Sequence, residues 1–381
     1  MKKKIGLVVN VNLQTKGMLG IKNKTIGQAK GFSSNGVIVS LFCCDGPALV
    51  RLLFLDGQLT KTEVLLPAIK PLTFFSELAT LFSEKSYSND YWYFRYIPMM
   101  DDKMVLCAEK CSTATSKVFF EVPTFPYHKE LSTEWAETDR LLQDKLQPYV
   151  SGVFSPSFTE NNSIFLGHKI KKISNGVDFD LIPPLEKQKD TTAFCLIGVG
   201  WISNWHGYDR VIKSIPEFIS KHPDIRFCFY IVGDGPAKIN LQQLVESLGL
   251  GAYICFTGAL TGKALDDIYK QCSLGVASLG LHRLDPNGTF EVLKVREYLA
   301  RGFPMLISHN DSFDYSRFPG LYRTNGDEGF VNLSFFYQKV RLFWQSEGPE
   351  VHAFSAKEIF SYKEITKNIL SFMAEAGERA S

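Results

Sequence analysis

The sequence lacks both a dominant charge and a long apolar run. Its 42 basic and 40 acidic residues nearly cancel over 381 residues, which excludes a broad basic surface for nucleic acid. No stretch reaches the roughly 18 apolar residues that a membrane-spanning helix needs. The apolar run after the basic start is also too short for a signal peptide. We therefore expect a cytoplasmic protein without a nucleic-acid partner, at most peripheral to a membrane.

Two familiar nucleotide-binding signatures are missing as well. Neither half has a G-x-G-x-x-G after its first strand, and no P-loop is present. The sequence therefore lacks the motifs that usually indicate a dehydrogenase or an NTPase. The eight cysteines include one Cys-x-x-x-Cys pair, Cys107 and Cys111, without histidines nearby. Reduced structural thiols are expected, and no metal site.

The sequence does contain a strand-then-helix alternation that begins twice, at the amino terminus and again at the strand Phe194–Gly198. Such alternation predicts parallel sheets covered by helices on both faces. We predict two Rossmann-like, doubly wound α/β domains that face one another across a cleft. The predicted parts are a first domain at 1–185, a linker at 186–192, a second domain at 193–352 and a helix at 353–381 that packs back on the first domain.

The loop "SNWHGY" follows the first strand of the second domain and leads into a helix. Exposed N–H groups at a helix start bind phosphate without needing a lysine. Ser203 or Asn204 is the predicted cap, and Gly207 permits close approach of the backbone. His206 is expected to donate a hydrogen bond and, when protonated near neutral pH, to supply charge. The alternative is a histidine that only caps the turn.

Several pieces of the sequence, taken together, resemble the GT-B glycosyltransferases, and within them the retaining glycosyltransferase family 4. In the second half they are "KKISNGVDF", "GVGWISNWHGYDRVI", "YIVGDGPAKINLQQLVESLGL", "ICFTGAL" and "LKVREYLARGFPMLIS", and in the first half, more weakly, "GIKNKTIGQAKGFSSNG" and "KVFFEVPTFPY". The sequence is most similar to bacterial enzymes that build surface polysaccharides such as O-antigen, capsule or exopolysaccharide. The resemblance implies a retaining, metal-independent transferase. Its donor would be a UDP- or GDP-sugar, and its acceptor a saccharide or lipid-linked saccharide at the inner face of the cytoplasmic membrane.

The resemblance also assigns roles in "LKVRE". Glu297 would bind the ribose hydroxyls, and Lys294 the diphosphate, where a compact cation stabilises the leaving group. The alternative is an intrahelical ion pair on a solvated face. The family's first Glu is replaced by Thr289, and Glu291 is expected to substitute for it in the sugar contact.

Two further positions depart from the family pattern. Trp201 stands where the family has Arg, and His206 where it has Lys. We expect backbone amides and His206 to do what Arg and Lys do in relatives, so that donor affinity weakens as pH rises through the His206 titration. Trp201 and Trp205 are predicted to be packing residues.

The resemblance places further contacts outside this loop. The main chain from Gly258 to Leu260 would form hydrogen bonds with the edge of the nucleotide base. Gly20 would let a donor phosphate or the sugar approach the start of a helix. Glu121 stands near the place of a sugar-touching histidine, or else is a buried structural carboxylate. With Lys294 and His206 it completes the predicted catalytic set.

The remaining charged residues are ambiguous. Arg283 and Arg296 either serve the ligand or are solvated surface residues. Asp178 and Asp180 form an Asp-x-Asp pair, but beside "SNGV" at a domain crossing we interpret it as a false metal motif.

Two other functions remain open: a non-catalytic partner that binds nucleotide sugars, and a sugar-nucleotide epimerase. The stretch "KPLTFFSELATLF" predicts either a core helix or an amphipathic helix that faces a membrane.

Overall fold

The computed structural model describes residues 2–15, 19–85, 87–98, 102–123, 125, 127, 131–156, 163–186, 192–311, 318–346 and 349–378. The chain divides into two compact units, which we call unit 1 and unit 2. Unit 1 comprises Met1–Asp178 and Phe360–Ser381, and unit 2 comprises Phe179–Ile359.

Strands and helices alternate along most of the chain, as the sequence predicts, although unit 1 contains two runs of consecutive strands. The elements of unit 1 begin with β1 (Lys4–Asn12), α1 (Leu19–Ser34), β2 (Ile38–Asp45), β3 (Ala48–Leu55), β4 (Gln58–Leu66), α2 (Phe74–Glu84), β5 (Tyr91–Arg95), α3 (Asp102–Cys111), β6 (Lys117–Glu121), α4 (Thr133–Leu146), β7 (Gly152–Ser155), β8 (Ile164–Phe165) and β9 (His168–Lys172). Unit 2 follows with β10 (Ala193–Val199), α5 (Tyr208–Lys221), β11 (Arg226–Val232), α6 (Lys238–Ser247), β12 (Ile254–Gly258), α7 (Gly262–Tyr269), β13 (Leu274–Val276), α8 (Leu293–Ala300), β14 (Met305–Ile307), β15 (Leu321–Arg323), α9 (Leu333–Gln345) and α10 (Pro349–Phe360). The last helix, α11 (Tyr362–Glu378), returns to unit 1.

The sheet of unit 1 has the predicted parallel core, from β2 through β1, β5, β6 and β7 to β9, and antiparallel strands that were not predicted extend it at both edges. Its strand order is β4-β3-β2-β1-β5-β6-β7-β9-β8, and β3, β4 and β8 run antiparallel to their neighbours. The hairpin between β3 and β4 turns at Asp56 and Gly57, which have φ of 48° and 81°. An Asp-Gly pair is a sequence signal for such a turn.

The sheet of unit 2 is parallel throughout its described strands, in the order β12-β11-β10-β13-β14-β15. The chain leaves β10 toward β11 on one side, whereas β13 pairs with the other side of β10. In an open α/β sheet, ligands bind at the carboxyl ends of strands at such a reversal of strand order. The loops after β10 and β13 are therefore the place to look for a site.

The chain changes units at positions other than those predicted. The first change falls at Asp178, before the predicted linker, of which residues 187–191 lie outside the described part. The second falls at Phe360 and not at residue 353, because α10 packs within unit 2, with the His352 ring 5.1 Å from Phe343. The final helix α11 packs on α1 of unit 1, where Asn35 Nδ2 donates to the Lys363 carbonyl at 2.8 Å.

The stretch predicted as a core or membrane helix forms the core helix α2. Phe74, Phe75 and Leu78 are buried, and α2 packs against α3. Within the described residues, no helix has the length and apolarity to cross a membrane.

Candidate functional site

The loop after β10 lies at the reversal of strand order in unit 2 and is held by main-chain bonds. A single 3₁₀ turn, Asn204–His206, precedes α5. The N–H groups of Leu279 and Gly280 donate to the carbonyls of His206 and Trp205 at 2.9 and 3.1 Å. The loop after β10 is therefore fastened to the segment that follows β13.

Glycine allows the backbone contacts that shape this loop. Gly207 has φ of 62°, and a Cβ there would stand 2.6 Å from the Gly280 nitrogen. The turn "GDGP" after β11 supports the other side, since a Cβ on Gly233 would stand 1.9 Å from the Gly200 carbonyl oxygen. The Ile202 N–H also donates to the Asp234 carbonyl at 2.7 Å. This turn is thus a backbone support of the loop, a role that its sequence alone did not reveal.

His206 is neutral, which corrects the expectation that it supplies charge. Burial, with the nearby Lys294 charge, lowers the pKa of His206 to about 2. Its Nδ1 accepts the Ser203 N–H at 3.0 Å, so the proton of the neutral ring lies on Nε2. His206 is both the cap of its own turn and a neutral hydrogen-bond donor.

Lys294 and His206 converge on one small volume. A Cβ placed on Gly200 would lie 3.5 Å from Lys294 Nζ and 3.5 Å from His206 Nε2. The Tyr208 side chain lies against both residues: its ring stacks on that of His206 with centroids 5.3 Å apart, and its hydroxyl accepts from Lys294 Nζ at 3.3 Å. Two N–H donors therefore face the space beside Gly200, as an oxyanion requires.

Lys294 lies in the first turn of α8 and is buried, with 9% of its surface exposed. Burial lowers its pKa to about 7, although the Glu297 carboxylate opposes the shift. Among the described residues no carboxylate lies within ion-pair distance of Nζ. A ligand anion would supply the missing counter-charge and favour the protonated form.

Glu297 lies one turn further along α8. Burial raises the pKa of its carboxyl group, against the opposing charges of Arg301 and Lys294. The solvated ion pair with Lys294 that the spacing allowed is not formed within the described structure. The side chain makes no hydrogen bond with the described residues, so both its oxygens are available for hydroxyl groups.

Three other predicted residues gather on a different side of the loop. Ser203, Asn204 and Arg283 line a pocket of about 230 Å³ next to α6. The guanidinium of Arg283 donates to the Asn204 carbonyl at 2.7 Å and pairs with the carboxylates of Asp209 and Glu328 at 2.9 and 2.5 Å. Its donors are used to brace the loop, so it is a positioning residue here.

Glu291, which was predicted to contact the sugar, forms an ion pair with Arg296 in the described structure. Its Oε2 lies 3.0 Å from Arg296 Nη2, and the side chain is 2% exposed. Arg296 also pairs with Asp311 at 3.3 Å and is itself fully buried, so it is not a solvated surface residue. A buried guanidinium needs this counter-charge, which explains why Glu291 turns inward.

The predicted base-reading turn lies at the end of β12, where Gly258 has φ of 73°. Its carbonyl accepts the Gly233 N–H at 2.8 Å, which links this strand end to the "GDGP" turn. Leu260 makes no main-chain hydrogen bond with the described residues, so its backbone groups remain available for a base.

The two predicted residues in unit 1 differ in their surroundings. Glu121 is 1% exposed and carries an ion pair with Lys24 at 2.5 Å, the geometry of the buried structural carboxylate that was the alternative. Gly20 lies exposed in the first turn of α1.

The two tryptophans of the loop are exposed, contrary to the packing role predicted. Trp201 is 58% and Trp205 38% exposed. The Trp201 N–H makes no hydrogen bond within the described part of the chain, whereas the N–H groups of Gly200 and Ile202 on either side do. A free backbone donor thus lies in the loop where the family has an arginine.

No metal centre is indicated by the described side chains, since no three of the types His, Cys, Asp and Glu are grouped so as to hold an ion. Asp178, of the Asp-x-Asp pair, accepts from Lys30 Nζ at 2.9 Å.

Comparison with known proteins places this loop and α8 in one matched segment. Residues 184–313 match the family described as "Glycosyl transferases group 1". The chain is 29% identical over 92 residues to the lipopolysaccharide core biosynthesis glycosyltransferase LpsD of Rhizobium meliloti, which covers 23% of this chain and 25% of that protein. It is 23% identical over 190 residues to the mannosylfructose-phosphate synthase of Agrobacterium fabrum, covering 47% of this chain and 40% of that protein. The matches thus span less than half the length of these relatives.

Solved structures match over the whole chain. Sucrose-phosphate synthase from Thermosynechococcus elongatus has a TM-score of 0.67 at 12% identity, with 100% of both chains covered. Anabaena HepE in complex with UDP and glucose has a TM-score of 0.61 at 15% identity, covering 98% of this chain and 100% of that one. The chain has the GT-B fold. This confirms the predicted architecture of two α/β domains, and within the GT-B fold the candidate site occupies unit 2.

Proposed function

We propose that this GT-B chain is a glycosyltransferase that moves a sugar from a nucleotide-sugar donor to a saccharide or lipid-linked saccharide. The observation that carries the proposal is the convergence of Lys294 Nζ and His206 Nε2 beside Gly200, within the segment that matches the glycosyltransferase family. A diphosphate held there would form an ionic contact with Lys294. It would also accept hydrogen bonds from the neutral His206 ring and from the Trp201 N–H.

The chemistry that this site supplies is positioning and electrostatic help to the leaving group. A buried ammonium group gains most from an anion whose charge grows as the glycosidic bond breaks, because water does not screen it. Lys294 holds that charge, and Glu297 accepts hydroxyl hydrogens from the ribose and so fixes the nucleotide. We propose transfer with retention of anomeric configuration and without a metal ion, following the family 4 resemblance.

We propose a bacterial surface polysaccharide as the product, made in the cytoplasm at the inner face of the membrane. The lipopolysaccharide relative supports this class of product, and the HepE structures with UDP and UDP-glucose support a UDP-sugar donor over a GDP-sugar.

Thermal unfolding with a panel of nucleoside diphosphates and nucleotide sugars tests the donor site, since a ligand that binds the folded state raises the unfolding temperature. We expect UDP compounds to stabilise the chain, and Lys294→Met to weaken their affinity about 100-fold, as expected for loss of a buried charge contact. Lys263→Met is the matched control, because Lys263 is 88% exposed on α7. Equal affinity in both variants would overturn the site assignment. Sugar transfer to candidate acceptors, with the anomeric product followed by NMR, tests the reaction itself.

One observation favours a second function, a non-catalytic partner that binds nucleotide sugars. Thr289 replaces the family's first Glu, and Glu291 is held by Arg296, so neither provides a free carboxylate for the sugar. Tight donor binding without turnover of any donor and acceptor pair would support this function. Incubation with donor alone separates both from an epimerase, which would alter the sugar without an acceptor.

A further inference from the structure

Unit 1 has its own reversal of strand order, between β1 and β5. The chain leaves β1 toward β2 on one side and leaves β5 toward β6 on the other. The carboxyl ends of these strands are where a ligand of an open α/β sheet binds. Arg95 is the last residue of β5 and Glu121 the last of β6, while Lys24 and Gln28 lie one turn apart on α1.

Glu121 is the centre of a buried polar cluster at this edge. Its Oε2 accepts from Gln28 Nε2 and from the Tyr93 hydroxyl, each at 2.6 Å. Its Oε1 lies 2.5 Å from Lys24 Nζ and 3.7 Å from Arg95 Nη1. Burial opposes ionisation, but the Lys24 and Arg95 charges lower the pKa of Glu121 to about 2. The carboxylate is therefore charged at neutral pH.

The charges of this cluster do not cancel. Lys24 is fully engaged, since it also donates to Asn175 Oδ1 at 2.7 Å. Arg95 makes no hydrogen bond with the described residues, and its contact with Glu121 is an ion pair at 3.7 Å. Among the described side chains, two cations face one carboxylate, so this described cluster carries one excess positive charge. The other charged pair near α1, Lys30 with Asp178, is neutral in sum.

The Arg95 side chain is 19% exposed, so its guanidinium has lost most of its water without gaining a hydrogen-bond acceptor among the described residues. Burial accordingly lowers the Arg95 pKa. Polar groups in this state are stabilised by a ligand that supplies acceptors. A planar guanidinium matches the two oxygens of a phosphate group in a bidentate pair, which a lysine does not.

We propose that Arg95, backed by Lys24, forms a phosphate-binding site in unit 1 that recognises a phosphate group of the acceptor. The assignment of that phosphate to the acceptor rests on the proposed function; the phosphate site itself does not. The donor diphosphate already has its own cation in Lys294, so the excess charge of unit 1 is available to a second ligand.

The test is the affinity of the full chain for inorganic phosphate, measured by calorimetric titration at constant ionic strength. One arm has no nucleotide, and the other has a saturating nucleoside diphosphate that fills the donor site. We expect binding in both arms, weakened at least tenfold by Arg95→Met. Arg51→Met is the matched control in unit 1, where Arg51 pairs with Glu63 at 3.3 Å on β3 and β4, and it should bind phosphate as the native chain does.

Phosphate binding that disappears in the nucleotide arm would assign the anion to the donor site and overturn the proposal. Equal affinity in Arg95→Met and Arg51→Met would do the same, as would an absence of binding by the native chain. The arm without nucleotide gives its result even if no nucleotide binds. Failure of the proposed function can therefore be distinguished from failure of the phosphate site.

A second variant keeps the test decisive if Arg95→Met does not fold. Glu121→Gln retains an acceptor for Tyr93 and raises the excess charge from one to two. We expect its phosphate affinity to rise severalfold, whereas a purely structural cluster predicts no gain. Unchanged or weaker binding by a folded Glu121→Gln chain would contradict the proposal.

Discussion

Two buried lysines, Lys24 on α1 and Lys294 on α8, lie near the carboxyl ends of the strands in their units. They differ in the source of their counter-charge. Lys24 of unit 1 is 5% exposed and lies 2.5 Å from the Glu121 carboxylate. Lys294 of unit 2 is 9% exposed, and its hydrogen bond in the described structure goes to the neutral Tyr208 hydroxyl at 3.3 Å. The protein itself thus supplies the counter-charge of Lys24, whereas it leaves the counter-charge of Lys294 to a ligand.

The pKa values of the neighbouring carboxyl groups, Glu121 and Glu297, show the same difference between the two lysines. Although burial opposes it, the pKa of Glu121 is lowered to about 2 by Lys24 and Arg95, whereas burial raises the pKa of Glu297. A site that binds an anion must keep a cation uncompensated, at a cost in stability. The comparison therefore predicts that the same substitution has opposite effects on stability in the two units.

The largest effect is expected from Lys24→Met and Lys294→Met compared in urea unfolding at pH 7. Lys24→Met leaves the buried Glu121 carboxylate its hydrogen bonds from Gln28 and Tyr93 but only the 3.7 Å ion pair with Arg95 among the described residues. It should lower the free energy of unfolding by about 3 kcal/mol. Lys294→Met removes an unpaired buried cation and should raise it by on the order of 2 kcal/mol. Lys263→Met, on an exposed side chain, should change it little.

The size of the Lys294 effect depends on pH. Its pKa is 10.5 in the unfolded chain and about 7 in the folded one, so between these values the unfolded chain holds a proton that the folded chain lacks. Stability of the native chain therefore rises with pH across this window, and the gain from Lys294→Met shrinks. Equal destabilisation by both Lys→Met variants would contradict the comparison.

A second, smaller effect concerns the pH dependence of donor binding. Because burial places the Lys294 pKa near 7 and the protonated form binds the diphosphate, affinity for a nucleotide sugar should fall roughly a hundredfold from pH 6 to pH 9. Calorimetric titration across this range measures it. The diphosphate of a nucleotide sugar does not titrate there.

Lys294→Met is the control for this dependence and should show weak, nearly constant affinity. A native chain whose affinity does not change with pH would mean that Lys294 is protonated throughout the range. The two lysines would then be equivalent, against the comparison.

The sequence predicted those features that local pattern determines. The alternation of elements, the loop before α5 and the placement of Lys294 and Glu297 on one helix all follow from short-range spacing. The β3–β4 hairpin was also accessible, because Asp56 and Gly57 are a strong turn signal. The hairpin was not predicted, because the strands on either side of this turn were not identified separately.

The remaining differences come from contacts distant in sequence. Glu291 turns toward Arg296 because the segment before α8 folds back along residues 309–311, where the Phe290 N–H donates to the Asn310 carbonyl at 2.9 Å. The neutral state of His206 depends on burial and on Lys294, 88 positions away. No local pattern contains this information, so the sequence predicted a charge on His206 in addition to that on Lys294.

The smallest effect distinguishes His206 from Lys294 within unit 2. Since burial and the Lys294 charge lower the pKa of His206 to about 2, its neutral Nε2–H contributes a hydrogen bond and no charge. His206→Leu should therefore weaken nucleotide-sugar affinity by about tenfold or less, the scale of one hydrogen bond to a charged acceptor. His206→Gln, which keeps a donor, should lose less. Both variants should retain the pH dependence of the native chain, because it arises from Lys294. If His206→Leu flattened that dependence while Lys294→Met preserved it, the ring would carry the titrating charge, and the cation that unit 2 reserves for its ligand would be the histidine.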